Sequence, residues 1–90
     1  MQITYDPDKR DDTLITRGLD MADAARVFAG PHMTSEDDRR DYGEIRLITI
    51  GFLAGRMVIV AWTHRGPARR IISMRKANAR EQKTYSARFG

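Results

Sequence analysis

Ninety residues, 41% hydrophobic and 31% charged, are enough for one small domain over residues 1–90, and the absence of cysteine excludes disulfide staples, thiolate metal sites and cysteine nucleophiles. Charge is unevenly placed: residues 1–45 hold six Lys/Arg against eleven Asp/Glu, and residues 46–90 hold ten against Glu81 alone. The formal net charge of +4 therefore hides a basic second half, which suits nucleic acid, an acidic protein partner, or internal pairing with the acidic first half.

Gln2-Ile3-Thr4-Tyr5 alternates apolar and polar and predicts a short half-buried strand that Asp6-Pro7 ends. Asp6 is a helix cap and Pro7 fits the first helical position, so a helix is expected to run from Pro7 to Arg17, stopped by Gly18, with a thin apolar face of Leu14 and Ile15. Asp20 with Asp23 resembles a carboxylate capping box for a second short helix, which places Met21, Ala25 and Phe28 on one face before Gly30-Pro31. The polar segment His32–Gly43 predicts a short edge strand and a loop.

Arg46–Leu53 and Met57–His64, joined by Ala54-Gly55, read as a β-hairpin. Arg65-Gly66-Pro67 turns the chain into Ala68–Arg75, which completes a three-strand meander whose middle strand is apolar on both faces. Asn78 and Glu81 form a cap pattern for a C-terminal helix. The fold class is α+β: a twisted antiparallel sheet of the meander plus the N-terminal strand, with two short N-terminal helices and one at the C-terminus. The longest apolar runs fall well short of the ~20 residues of a membrane helix, and MQITYDPDKR has no apolar run to serve as a secretion signal, so a soluble cytoplasmic protein is expected.

His32 and His64 lie in different segments and Glu36-Asp37-Asp38 lacks calcium-loop spacing, so neither a metal site nor any other cofactor is expected. No glycine-rich phosphate loop is present. The basic strand is the chemically informative part. Strand alternation would put Arg69, Ser73 and Arg75 on one face and Arg70 on the other, a cation row fit to hold successive phosphates. Each of these arginines can equally pair with a carboxylate of the first half. His64, beside a turn, is either a general acid or base or a surface residue without a role. Trp62 is a core residue or a base-stacking platform. Glu81 and Tyr85 face the same way on the last helix, with Glu81 a reactive group or only a cap, and Tyr85 a reactive group or only packing.

At these residues the chain resembles the BrnT-type ribonuclease toxins of bacterial type II toxin-antitoxin pairs, themselves similar in fold to the RelE superfamily. The resemblance runs through Tyr5-Asp6-Pro7-Asp8-Lys9, the Ala-rich helix Ala22 to Phe28, and the Asp38 to Arg46 loop. Its most specific part is Thr63-His64-Arg65-Gly66 followed by Arg70 to Glu81, with Tyr85 beyond. Where the family usually has Asn and then Lys-His-Gly, this chain has Thr13 and Thr16-Arg17-Gly18, and Met21 replaces a frequent Phe. Arg17 keeps a positive charge but cannot shuttle protons near neutral pH.

The resemblance implies a metal-independent endoribonuclease that cleaves RNA, most simply messenger RNA, by 2'-OH attack and so inhibits translation. On that expectation Arg65, Arg75 and Arg80 hold phosphate, and His64, Glu81 and Tyr85 are the candidate proton carriers. Lys9, Arg69, Arg70 and Lys76 would bind RNA along the strand. The implied partner is a BrnA-like ribbon-helix-helix antitoxin that binds operator DNA and covers the toxin in a hetero-oligomer; the ribosome is a further possible partner. A non-catalytic nucleic-acid or ribosome-binding module, and a protein-docking domain, use the same basic surface and stay open from the sequence.

Overall fold

The computed structural model describes residues 1–89. Its elements run β1 (Gln2–Tyr5), α1 (Pro7–Arg17), a 3-10 turn (Met21–Asp23) leading into α2 (Ala24–Ala29), β2 (Met33–Asp37), β3 (Arg46–Leu53), β4 (Arg56–Arg65), β5 (Ala68–Lys76), α3 (Ala79–Ser86) and a final 3-10 turn (Ala87–Phe89). The strands form one sheet in the order β1-β5-β4-β3-β2. β2 to β5 pair antiparallel, but β1 lies parallel to β5, so the sheet is mixed where a wholly antiparallel one was expected. The alternation in Gln2–Tyr5 determines which face that strand buries, and leaves open which edge it joins and in which direction.

β4 is central, as its two apolar faces require. On one face Val58, Val60 and Trp62 meet the 3-10 turn and α2 through Met21, Val27 and Phe28; on the other, Met57 and Ile59 join Ile50 and Ala77 under Tyr85 and Phe89 of the C-terminal segment. Val58 and Val60 are fully buried, each contributing roughly 1.5–3 kcal/mol by burial alone. Two tight turns set the register. Ala54 (φ 51°) and Gly55 (φ 77°) are both left-handed, as a two-residue hairpin demands, and Gly66 (φ 57°) precedes Pro67 in the next turn.

α1 begins and ends as expected: the Asp6 side chain accepts from the Asp8 amide at 2.9 Å, and Gly18 closes it at φ 67° with its N–H on the Leu14 carbonyl. Its buried side is different. Thr13 packs inward, whereas Leu14 and Ile15 are 46% and 84% exposed. The reason is that α1 lies along the edge of β5 beyond the end of β1, where the contact is partly polar: Arg17 Nη1 donates to the Met74 carbonyl at 3.0 Å. The second helix opens as a 3-10 turn because the Asp20 side chain accepts from Ala22 rather than Asp23. A three-residue period then aligns Met21 with Ala24 and carries on to Val27 and Phe28, leaving Ala25 only half-buried. Asp20 also takes both ends of the Arg10 guanidinium, at 2.7 and 2.8 Å, which ties this turn to α1 and lowers the Asp20 carboxyl to about 2.

β5 holds one residue more than its partner. Ser73 pairs with Ala61 and Ile71 with Trp62, which leaves Ile72 as a bulge. The bulge reverses the alternation, so the expected row of Arg69, Ser73 and Arg75 does not form. Arg70, Ser73 and Arg75 lie opposite Thr63, Ala61 and Ile59 on the α3-bearing face, while Arg69 joins Trp62 and His64 on the helix-packed face.

The helix-packed core has one polar connection. Trp62 Nε1 donates to Thr49 Oγ1 at 2.8 Å, and Thr49 Oγ1 in turn lies 2.8 Å from Thr34 Oγ1, joining β4, β3 and β2. Beside it Gly51 is required by close approach, since a Cβ there would stand 2.7 Å from Val27 Cγ1. Thr49→Val keeps the shape but strands the buried indole N–H, so urea unfolding should show a loss of about 1–3 kcal/mol with an unchanged denaturant slope.

Candidate functional site

The α3-bearing face of the sheet is only partly covered. α3 and the turn after it pack over Ile50, Met57 and Phe52 at one end, and the loop after β2 rises at the side, leaving a groove of about 710 Å³. Its floor mixes Ile48, Ile50 and Ile59 with the shorter Ser35, Ala61 and Ser73, and its walls carry Arg39, Arg75, Arg88 and Tyr85 together with the carboxylates of Glu36, Asp37, Asp38 and Glu81. The paired short side chains of Ala61 and Ser73 leave room beside Arg75, and charged groups of both signs stand around it.

Arg75 and Glu81 form the most ordered pair there. Arg75 Nη1 and Nη2 each donate to a Glu81 oxygen at 2.7 Å. The same carboxylate accepts from the Asn78 amide at 2.9 Å while Asn78 Oδ1 accepts from the Glu81 amide at 2.8 Å, so the capping box of α3 is complete. The Arg75 guanidinium, and after it the Asn78 amide, hold the Glu81 carboxyl down to about 2. Arg75 is correspondingly raised by Glu81, and opposed by the nearby charge of Arg39. With Arg75 44% exposed, such a pair contributes on the order of 0–1 kcal/mol, little enough for an incoming phosphate to replace Glu81 on Arg75.

Arg39 is held from behind. Its Nε and Nη2 donate to Asp37 at 2.7 and 2.9 Å, and Tyr42 Oη donates to the same carboxylate at 3.0 Å. Asp37 is 8% exposed and its carboxyl is held far below the usual range by Arg39 first and Tyr42 after it. Nothing in the sequence pattern marked Arg39, Arg88 or Ser35. They lie in a polar loop, a terminal turn and an edge strand, and only the tertiary fold brings them to one groove. The run Glu36-Asp37-Asp38, which has no metal-site spacing, holds an arginine instead.

Of the residues expected to act together, the structure brings Arg75, Glu81 and Tyr85 into the groove. Arg65, Arg70 and Lys9 lie together in an adjoining cavity beyond its end. Arg65 Nη2 pairs with Glu44 of the first half at 3.2 Å, whereas Arg75 pairs with Glu81 and not with the acidic half. Four residues are elsewhere. Arg80 is exposed and does not line the groove. His64 stands edge-on to Trp62 at 5.0 Å, and Arg69 lies over the rings of Phe28 and Trp62 at 4.5 and 4.6 Å, both on the opposite face. Lys76 stands beside Gly18 at the end of α1. Trp62, 3% exposed, is core and offers no stacking surface. Arg17, at the position where the resemblance puts a histidine, is tied to the Met74 carbonyl. Among the described residues no group of acidic residues and histidines is arranged to hold a metal ion, and no helix is long and apolar enough to cross a membrane.

Comparison with known families agrees with the resemblance. A family described as the ribonuclease toxin BrnT of type II toxin-antitoxin systems matches residues 5–81, ending at the groove residue Glu81. No curated protein matches the chain.

The lowered Glu81 carboxyl makes a pH prediction. A carboxyl depressed from 4.5 to about 2 contributes stability that is present above its unfolded value and lost as pH falls through the folded one. In melting temperatures taken from pH 7 to pH 2, Glu81→Gln should be less stable than the parent at neutral pH, and the gap should close between about pH 4.5 and 2.

Proposed function

The chain belongs to the BrnT family of ribonuclease toxins of type II toxin-antitoxin systems, and on that premise we propose that it is a metal-independent endoribonuclease that cuts messenger RNA in the groove under α3. The single observation that carries this reading is the convergence of Arg75, Arg39, Glu81 and Tyr85 around one open groove on the sheet.

RNA cleavage without a metal needs a base for the 2'-OH, cations for the charge that grows on the phosphate, and a donor for the departing 5'-oxygen. Arg75 and Arg39, fixed by a strand end and by Asp37, supply the cations, with Arg88 beside them. A scissile phosphate displaces Glu81 from Arg75. The released carboxylate regains basicity and takes the 2'-OH proton as the 2'-oxygen bonds to phosphorus. Tyr85 Oη gives its proton to the 5'-oxygen as the P–O5' bond breaks, leaving a 2',3'-cyclic phosphate and a 5'-OH. The proton on Glu81 returns to Tyr85 through water.

The biological setting follows from the same reading. The toxin acts in the cytoplasm and lowers translation. Its partner is a BrnA-like ribbon-helix-helix antitoxin, which covers the groove and holds operator DNA as part of the complex. That setting requires the chain to be tested free of its partner.

A defined messenger RNA incubated with the purified chain in EDTA should be cut to 2',3'-cyclic phosphate ends, with Arg75→Ala slower by about 10²–10³-fold and Arg56→Ala, at the far hairpin, within about twofold. Loss of cleavage in EDTA, or 3'-OH products, would sink the mechanism.

A further inference from the structure

A second cavity, of about 170 Å³, opens at the end of the sheet where the β4–β5 turn meets the start of α1. It is lined by Lys9, Arg46, Arg65 and Arg70, with Asp6 and Glu44 as its only carboxylates. With four cations against two carboxylates the cavity keeps a formal excess of two positive charges. Asp6 accepts the first-turn amide of α1, and Glu44 is shared between Arg65 at 3.2 Å and Arg46 at 3.9 Å, the latter beyond hydrogen-bond reach. Among the described residues Lys9 and Arg70 have no ion-pair partner.

Arg46 is set apart among these cations by its Nε, which is closed to solvent with no hydrogen-bond acceptor among the described residues. Its guanidinium lies over the Tyr42 ring at 4.1 Å. The Arg46 side chain is 31% exposed as a whole and lines the cavity, so beside three further cations it suits an anion there. Stacking on an aromatic ring also holds the guanidinium plane in place before any ligand arrives.

The cavity is in line with the groove. Arg70, Ser73 and Arg75 are on the same face of β5, and Arg70 is separated from Arg75 by about 13 Å at ordinary strand rise with the bulge discounted. Ser73 lines the groove, while Lys9 and Ile72 line both this cavity and a small cleft that also includes Ser73. An extended single strand whose phosphate sits on Arg75 can therefore follow β5 towards its start and leave over Lys9 and Arg65.

We propose that this cavity is a second phosphate subsite, in which Arg46, Arg65, Arg70 and Lys9 hold a backbone phosphodiester of the same RNA strand a few nucleotides from the one cut. The proposal rests on the ribonuclease reading above and deepens it. The substrate is single-stranded RNA bound in extended form, and the subsite positions it without touching the reacting atoms.

The test uses a 2'-O-methyl RNA oligonucleotide, which cannot be cleaved, and measures affinity by fluorescence anisotropy at a series of salt concentrations. Lys9→Gln/Arg70→Gln should bind at least tenfold more weakly than the parent. Its plot of log affinity against log salt should be shallower by up to about 0.7, the contribution of one phosphate contact on a single strand. Arg26→Gln/Arg56→Gln removes the same charge away from the cavity and should keep the parent's slope. Melting temperature verifies that each variant folds, and Lys9→Gln alone, at an exposed position on α1, should show a smaller loss of affinity in the same direction if the double variant is unstable. Parent-like affinity and slope in the double variant would overturn the subsite and leave the groove reading standing. Equal losses in the two double variants would assign the effect to net charge and overturn it as well. A parent that does not bind RNA at all would remove the ribonuclease reading, and the subsite with it.

Discussion

One extra residue in β5 decides which side chains each face of the sheet carries. If Ile72 were paired in register with Trp62 instead of bulged, Arg69 and Arg70 would exchange faces. With the bulge in place, Arg70, Ser73 and Arg75 form one side, beside the open groove, and Arg69 is sent to the helix-packed side between Phe28 and Trp62. Pairing between β1 and β5 ends at Ile71, and beyond it α1 takes over the strand edge with Arg17 on the Met74 carbonyl. A bulge next to a functional surface, re-aiming side chains and ending strand pairing, is what such irregularities commonly do.

The groove owes its chemistry to charges that are paired but not locked. Arg39 is backed by a nearly buried carboxylate and a tyrosine hydroxyl, so its position is fixed before anything binds. Arg75 is held by Glu81, which also caps α3, in a rim pair exposed enough for a phosphate to displace it. A single carboxylate thus links the stability of the last helix to the state of the groove. The cavity at the far end differs in kind, because there an arginine N–H is buried with no acceptor and the cations outnumber the carboxylates.

Much of the fold was legible in the sequence. Asp6-Pro7, Gly18, Ala54-Gly55, Gly66-Pro67 and Asn78 with Glu81 are local signals whose physics acts within four or five residues, and the elements begin and end where they stand. The direction of β1, the inward face of α1 and the bulge at Ile72 depend on partners far along the chain, so periodicity within a segment gave the wrong side for Leu14, Ile15 and Arg69. The site was legible in the same proportion. Arg75, Glu81 and Tyr85 meet because a strand, a cap and one helical turn separate them. Arg39 and Arg88 were hidden in a polar loop and a terminal turn, and His64 and Arg80 were adjacent in sequence to groove elements but point elsewhere.

The most direct test of a phosphate-binding groove on the α3-bearing face is the arginine Nε–Hε NMR spectrum of the isotopically labelled chain, recorded as an uncleavable RNA oligonucleotide is added. The account predicts that Arg75 and Arg39 shift with increasing RNA while Arg10, occupied by Asp20, stays in place. Shifts confined to Arg69 and Arg26, on the helix-packed side, with Arg75 and Arg39 unmoved, would contradict it.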